Sequence, residues 1–242
     1  MDRRETRVLL ALLALVLAVR LTYLGVFRDR VFSGPSTQYE QAFVAMGLLE
    51  GKGVTVFREP PAVVDAADPD RFIDPERYVI QNPERMAYIK EVPGYGFFLA
   101  GLWKITGTKT WLAAQVFQLL MDILAALGIY LLARGAFGRK AAAAAVLLFA
   151  FLFFEARAAV IPYKDIILLY VMLGAAGLAL RIFEGRGRPV VSFMLLSALS
   201  GLGYYFMPNI LLYPLFLVLA LLILKKIKFG KAAVWALLAV LV

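Results

Sequence analysis

Long apolar runs, separated by short polar segments rich in Lys and Arg, fill most of the chain. The first run covers 8–27. A polar stretch from 28 to 92 follows, and the next clear run is 110–133. Further runs cover 141–154, with an extension to 161, then 166–183, 189–205 and 210–224; a last begins near 232 and is still apolar at 242. Each long run can cross a hydrocarbon core about 30 Å thick at about 1.5 Å per helical residue. The stretch after 232 is too short to do so, and the chain reads as part of a longer one. The expected fold is an all-α polytopic membrane protein with about seven transmembrane helices. Its expected organisation is a first transmembrane helix over 1–28, a long first extracytoplasmic loop over 29–109 and a bundle over 110–242.

Two stretches fall below spanning length and are expected to lie at the membrane surface or re-enter it. One is 36–50, where Phe43, Met46 and Leu48 or Leu49 can face lipid or the bundle, and Gly51 suits the left-handed cap position. The other is "GYGFFLAGLWKITG" (94–107), interrupted by Lys104 and Gly107. Between them "EPPAVVDAADPDRFIDPERY" predicts irregular chain with short turns.

Basic residues orient the spans. Arg3, Arg4 and Arg7 precede the first; Arg134, Arg139 and Lys140 separate the second from the third. Arg181, Arg186 and Arg188 separate the fourth from the fifth, and four lysines from Lys225 to Lys231 follow the sixth. If every span crosses once, all fall on one side, which is therefore cytoplasmic. Residues 28–95 hold 8 basic and 11 acidic groups, a net of −3, so the remainder of the +9 chain carries +12. The positive charge is thus a topological signal, and no nucleic-acid partner is expected. The opening "MDRRETR" with its apolar run lacks a small-residue cleavage site and reads as an uncleaved anchor. The plasma membrane of a prokaryote is the expected location.

Composition narrows the chemistry. Of 242 residues 62% are hydrophobic, mean hydropathy is +0.78, and both Cys and His are absent. No thiolate or imidazole can act, which leaves Asp, Glu, Lys, Arg and Tyr. Arg20 and Asp122 lie within spans at depths about 8 Å apart and read as a structural ion pair or a snorkelling Arg. Asp29, Glu40, Lys90, Glu91, Glu155, Arg157, Lys164 and Asp165 fall at the outer mouth. A basic group here, with Lys164–Asp165 opening the fourth span beside Arg157, suits a phosphate headgroup; simple interfacial anchoring is the alternative.

Four stretches, "PSTQYEQAFVAMGLLEGKG", "KEVPGYGFFLAGLWKITG", "ARGAFGRKAAAAAVLLFAF" and "PYKDIILL", in that order and spacing, resemble the GT-C glycosyltransferases. The likeness is to the protein O-mannosyltransferase-like and aminoarabinose-transferase-like group. It implies transfer of a sugar from a polyprenyl-phosphate donor to a protein, lipid or glycan acceptor at the extracytoplasmic face, with a catalytic acid in the first outer loop. Lys90 and Tyr95 match that group's second interfacial motif, and Lys164 and Asp165 its polar pair opening the fourth span. The residues this implies are Glu40 and Asp165 for catalysis, with Tyr39, Lys90, Tyr95, Arg157 and Lys164 for substrate. The pattern departs at three places. The acid expected before Tyr39 is Pro35 or Ser36, a proline is replaced by Gly96, and a basic residue of the fifth outer turn is Met207. Glu40 lies one helical turn beyond Ser36 and is either a displaced base or a solvent-facing Glu. A catalytically silent relative that binds lipid-linked sugar or a membrane partner is the alternative function, and a small transporter the third. No cofactor is expected, although one or two acids with a substrate phosphate could hold Mg²⁺ or Mn²⁺.

Overall fold

A computed structural model describes residues 2–27, 36–58, 64–65, 68–72, 74–77, 80, 84–88, 92–152, 156, 160, 164–185, 188–206, 212–223 and 234–235; of 36–38, 64–65, 68–72 and 164–166 it describes the backbone alone. The helices are α1 (Arg3–Phe27), α2 (Ser36–Leu49), α3 (Gly94–Thr106), α4 (Trp111–Phe137), α5 (Arg139–Phe151), α6 (Lys164–Phe183), α7 (Pro189–Tyr204) and α8 (Tyr213–Ile223). Among the described residues α1 and α4 are long and apolar enough to cross a bilayer, and α6, α7 and α8 include shorter apolar stretches. The seventh run falls mostly outside the described residues.

Charges at the two ends of α1 set the packing of the first three long helices. Asp2 caps α1, accepting from the Glu5 amide at 2.8 Å. Glu5 is almost wholly buried; it pairs with Arg134 and accepts from the Tyr130 hydroxyl at 3.2 Å. Asp2 pairs with Arg139 at 2.6 Å. The start of α1 therefore meets the end of α4 and the start of α5, so α1 and α5 run parallel and α4 opposes both.

At the other end Arg20, fully buried, donates from Nε to Asp122 Oδ2 at 2.5 Å. Its two Nη groups donate to the carbonyls of Ala150 at 2.8 Å and Phe149 at 3.1 Å. These belong to the last turn of α5, whose carbonyls have no intrahelical partner. One guanidinium thus neutralises Asp122 and caps α5, where a cation also meets the negative end of the helix dipole. The two residues behave as an ion pair because the long Arg side chain covers their difference in depth. The end of α5 also differs from expectation. The sequence predicted helix to 154 or 161, but α5 stops at Phe151. Its 13 residues cover about 20 Å, less than a full crossing.

α6 runs parallel to α4: the Tyr170 hydroxyl donates to the Gln118 carbonyl at 2.8 Å, and Gly177 faces Leu132 further along. α7 returns against α6 after a turn in which Gly185 takes φ of 67°, and Pro189 sits at its first position, where a missing N–H costs nothing. Phe193 and Leu196 pack there with Ala175 and Ala179.

The polar segment is not wholly irregular. It forms two short antiparallel pairs, β1 (Thr55–Phe57) with β4 (Arg85–Ala87), and β2 (Val64–Asp65) with β3 (Asp68–Phe72). α2 ends in the Schellman arrangement: Lys52 N–H donates to Gly47 O at 2.8 Å and Gly51 N–H to Leu48 O at 3.1 Å, with Gly51 at φ of 72°. Phe43 and Met46 do not face lipid. They are buried among β1, Tyr88 and α3, because the strand pair covers the apolar face of α2.

Candidate functional site at the loop-covered end of the bundle

Three helices converge at the end of the bundle covered by the described residues of the 36–92 segment. α3 lies antiparallel alongside the first turns of α4. Trp103 meets Trp111 at 6.2 Å between ring centroids, Phe98 meets Phe117 at 5.2 Å, and the Tyr95 hydroxyl donates to Gln118 Oε1 at 2.9 Å. The start of α3 therefore lies about 10 Å along α4 from Trp111, as a re-entrant helix would.

α2 is locked across α3 by Gln41, which is buried. Its Oε1 accepts from the Gly96 amide at 2.8 Å, and its Nε2 donates to the Tyr88 hydroxyl at 3.3 Å and the Val92 carbonyl at 3.4 Å. This contact accounts for the departure at position 96. A proline has no N–H for Gln41, and a Cβ at Gly96 would come within 2.5 Å of Val44 Cγ1. Gly94 is equally constrained. Its amide donates to the Tyr205 carbonyl at 2.8 Å, and a Cβ there would lie 2.1 Å from that oxygen. α3 is so tied to the end of α7.

The loop is fastened to α4 as well. Thr110, at the N-cap position of α4, makes no side-chain cap bond. Asp74 Oδ1 takes that place, accepting from the Trp111 amide at 2.8 Å, and Glu76 Oε1 accepts from the Lys109 amide at 2.6 Å. Two carboxylates thus sit at the positive end of the α4 dipole. Arg85 holds the end of α2. Its Nη2 donates to Glu50 at 3.0 Å, its Nη1 to the Phe43 carbonyl at 3.3 Å, and its guanidinium lies 4.0 Å from the Phe57 ring centroid. Burial works against the Glu50 charge, but Lys52 and Arg85 outweigh it and hold the carboxyl below its ordinary range.

Along α4, Gln115, Gln118 and Asp122 recur at i, i+3 and i+7 and are 1%, 0% and 0% exposed. This spacing places them on one face of the helix, turned into the bundle. Sequence reasoning singled out Asp122 and missed both glutamines, although the spacing within an apolar run was the available signal. It likewise missed Gln41, Asp74 and Arg85.

The sequence-predicted residues distribute as follows. Tyr39 is 3% exposed and meets Trp111 edge-on at 6.4 Å; burial pushes its phenol up to about 12. Tyr95 is 1% exposed, and burial pushes its phenol well above the ordinary value. Both are neutral groups packed into the walls of the site. Glu40 is half-buried, with Oε2 shielded from solvent, which corrects the solvent-facing alternative: the fold draws that face of α2 inward. Lys164 and Asp165 open α6, about 9 Å before Tyr170 and so roughly level with Trp111; their side chains are outside the described residues. Lys90 and Arg157 lie outside them altogether. Tyr39, Glu40, Trp111 and the start of α6 are thereby brought to one level. Among the described residues no group of three or more Asp or Glu is placed to hold a metal ion.

Comparison with known families identifies the class of the chain. Residues 90–242, more than half of the chain, match the family model of the dolichyl-phosphate-mannose-protein mannosyltransferases. Neither the curated proteins nor the solved structures contain a match. The chain is a helical membrane protein of the GT-C glycosyltransferase type, and it belongs to the dolichyl-phosphate-mannose-protein mannosyltransferase family.

Proposed function

We propose that the chain transfers a sugar from a polyprenyl-phosphate donor to an acceptor hydroxyl at the extracytoplasmic face. In this reading the loop-covered end of the bundle faces outward and the end holding Arg134 and Arg139 faces the cytoplasm, with seven spans in all. The observation that carries it is the placement of Glu40: a half-buried carboxylate level with the start of α6, in a chain whose residues 90–242 belong to a lipid-linked mannosyltransferase family.

Glu40 takes the proton from the acceptor hydroxyl as its oxygen attacks the anomeric carbon. The bond from that carbon to the phosphate oxygen breaks, and its electron pair leaves with the polyprenyl phosphate. Lys90, Arg157 and Lys164 supply cations for the charge that develops there. Asp165 is the second carboxylate of the site. Tyr39 and Tyr95 hold its walls, as neutral phenols. For the prenyl chain, an apolar groove of about 330 Å³ runs between α4 and α6 from Tyr170, lined by Leu124, Gly128, Leu132, Leu173 and Gly177. No resident cofactor takes part; a divalent cation on the donor phosphate is compatible with the scheme.

The test is transfer from a mannosyl phosphoprenol to an acceptor pool by purified protein in lipid. Glu40→Gln is expected to lower turnover about 10²–10⁴-fold, the range for loss of a general base. Full activity in that variant rejects Glu40 as base and turns attention to Asp165→Asn. The absence of an acid at Pro35 and Ser36 favours a second reading, a silent relative that holds the donor. Wild-type protein that binds the donor without turnover establishes that reading instead.

A further inference from the structure

The end of the bundle remote from α3 holds a second cavity, of about 340 Å³, where α1 and α5 begin and α4 finishes. It shares no residue with the site above. It is a groove open to the surface and similar in size to the apolar groove between α4 and α6.

The charges around it fall into two sets. Asp2, Glu5, Arg134 and Arg139 form a closed lattice. Arg139 reaches Asp2 at 2.6 Å and Glu5 at 3.5 Å, and Arg134 pairs with the other Glu5 oxygen. Two anions are matched by two cations, and Asp2 is held below its ordinary carboxylate range by the Glu5 amide and by Arg139. The lattice is therefore neutral and fixed. Arg4 and Lys140 stand on the same cavity wall, exposed, and among the described residues neither has a carboxylate within ion-pairing distance. They leave a local excess of two positive charges. Tyr130 also lines the cavity, its hydroxyl committed to Glu5 at 3.2 Å; the remaining lining is apolar, Val8 and Ala143, which lie about one turn beyond Arg4 and Lys140 along α1 and α5, in the direction of the membrane interior.

A rim of two uncommitted cations above an apolar slot fits a ligand with a phosphate at one end and a hydrocarbon chain at the other. We propose that this cavity binds the headgroup of one anionic phospholipid, its phosphate between Arg4 and Lys140 and an acyl chain along Val8 and Ala143. Under the orientation proposed above, this is a lipid of the inner leaflet. The site is separate from sugar transfer, so its failure leaves that reading untouched.

The test uses the full chain in detergent micelles. Thermal unfolding is followed against short-chain phosphatidylglycerol, short-chain phosphatidylcholine and inorganic phosphate. Phosphatidylglycerol is expected to raise Tm saturably and phosphatidylcholine to do so weakly. In Arg4→Gln/Lys140→Gln, the half-saturating phosphatidylglycerol concentration is expected to rise about 30-fold, at about fivefold per cation beside an anionic lipid. Both side chains lie outside the lattice, so the unliganded variant should melt with the wild type. Lipid retained through purification, read by native mass spectrometry, gives a second measure: phosphatidylglycerol on the wild type, and less on the variant. Equal half-saturation in wild type and variant overturns the site. Equal protection by inorganic phosphate overturns the lipid and leaves a free-anion site.

Discussion

Arg20→Leu is the perturbation that most directly tests how the loop-covered half of the bundle is held. The substitution removes a cation that serves Asp122 and the final carbonyls of α5 together. Breaking a buried pair by deleting one partner costs about 3–5 kcal/mol, because the other charge is left in a low dielectric. Each orphaned carbonyl adds about 1 kcal/mol at the low end for a buried acceptor. The single variant should therefore lose about 5–7 kcal/mol. In Arg20→Leu/Asp122→Leu the charge term vanishes and the carbonyl term of about 2 kcal/mol remains, so the double variant should be the more stable of the two. The assay is unfolding in mixed micelles titrated with a denaturing detergent, with the four proteins arranged as a double-mutant cycle. Single and double variants within about 1 kcal/mol of one another would refute the charge argument. A double variant as stable as the wild type would refute the capping argument. If the single variant does not accumulate and the double does, the order of stabilities is already given.

Gly96→Ala drives a Cβ to 2.5 Å from Val44 Cγ1; overpacking of this kind costs about 1–3 kcal/mol, and Val44→Ala in the same chain should restore only part of the melting temperature, because the Cβ of residue 44 at 2.9 Å and the Gln41 carbonyl at 3.2 Å still crowd the new methyl. Asp74→Ala removes the cap of α4 and should cost about 0.5–2 kcal/mol, whereas Asp74→Asn keeps an acceptor for the Trp111 amide and should melt close to the wild type. Alkaline stability should report Tyr39. Its folded phenol is raised to about 12 from 10.0, so the unfolded chain loses this proton first. Stability is then unaffected below pH 10 and falls as pH climbs towards 12. Tyr39→Phe should flatten that fall, and a melting series with the same alkaline slope in both proteins would count against the burial argument.

Periodicity and charge made the long helices and their order legible, since apolar length and basic flanks are local properties of the chain. The antiparallel relation of α1 and α4 follows from them, and Glu5 with Arg134 shows it in contact. What escaped was whatever depends on a partner distant in sequence. Gln41 is an ordinary polar residue until α3 brings the Gly96 amide to it across 55 positions. Asp74 reads as loop until Trp111 needs a cap. The stop at Phe151 lies in an apolar run with no breaker, and the guanidinium that takes up its last carbonyls is 130 residues away. The strands of the loop are too short to carry an alternating pattern, so Phe43 and Met46 looked available to lipid.

The same distinction sharpens the question of which group acts as base. Glu50 is engaged with Lys52 and Arg85, Asp74 and Glu76 with amides at the start of α4, Glu84 with Arg58, and Asp122 with Arg20. Each of these carboxylates fixes a helix end, closes a strand pair or neutralises Arg20, and moving it to meet an acceptor would undo that contact. The tasks are also spatially ordered. They surround α2 and α3 and hold their register, so that residues 39 and 40 are presented against Trp111 at the level where α6 begins. Glu40, half-buried in the same turn as Tyr39 and Gln41, is the carboxylate proposed above as base. Its neighbour Tyr39 supplies the anchoring ring, and the next residue, Gln41, supplies the hydrogen bonds. In the proposed reading, three consecutive residues of one helical turn divide anchoring, chemistry and register among themselves, with the acid moved from Pro35 or Ser36 to position 40.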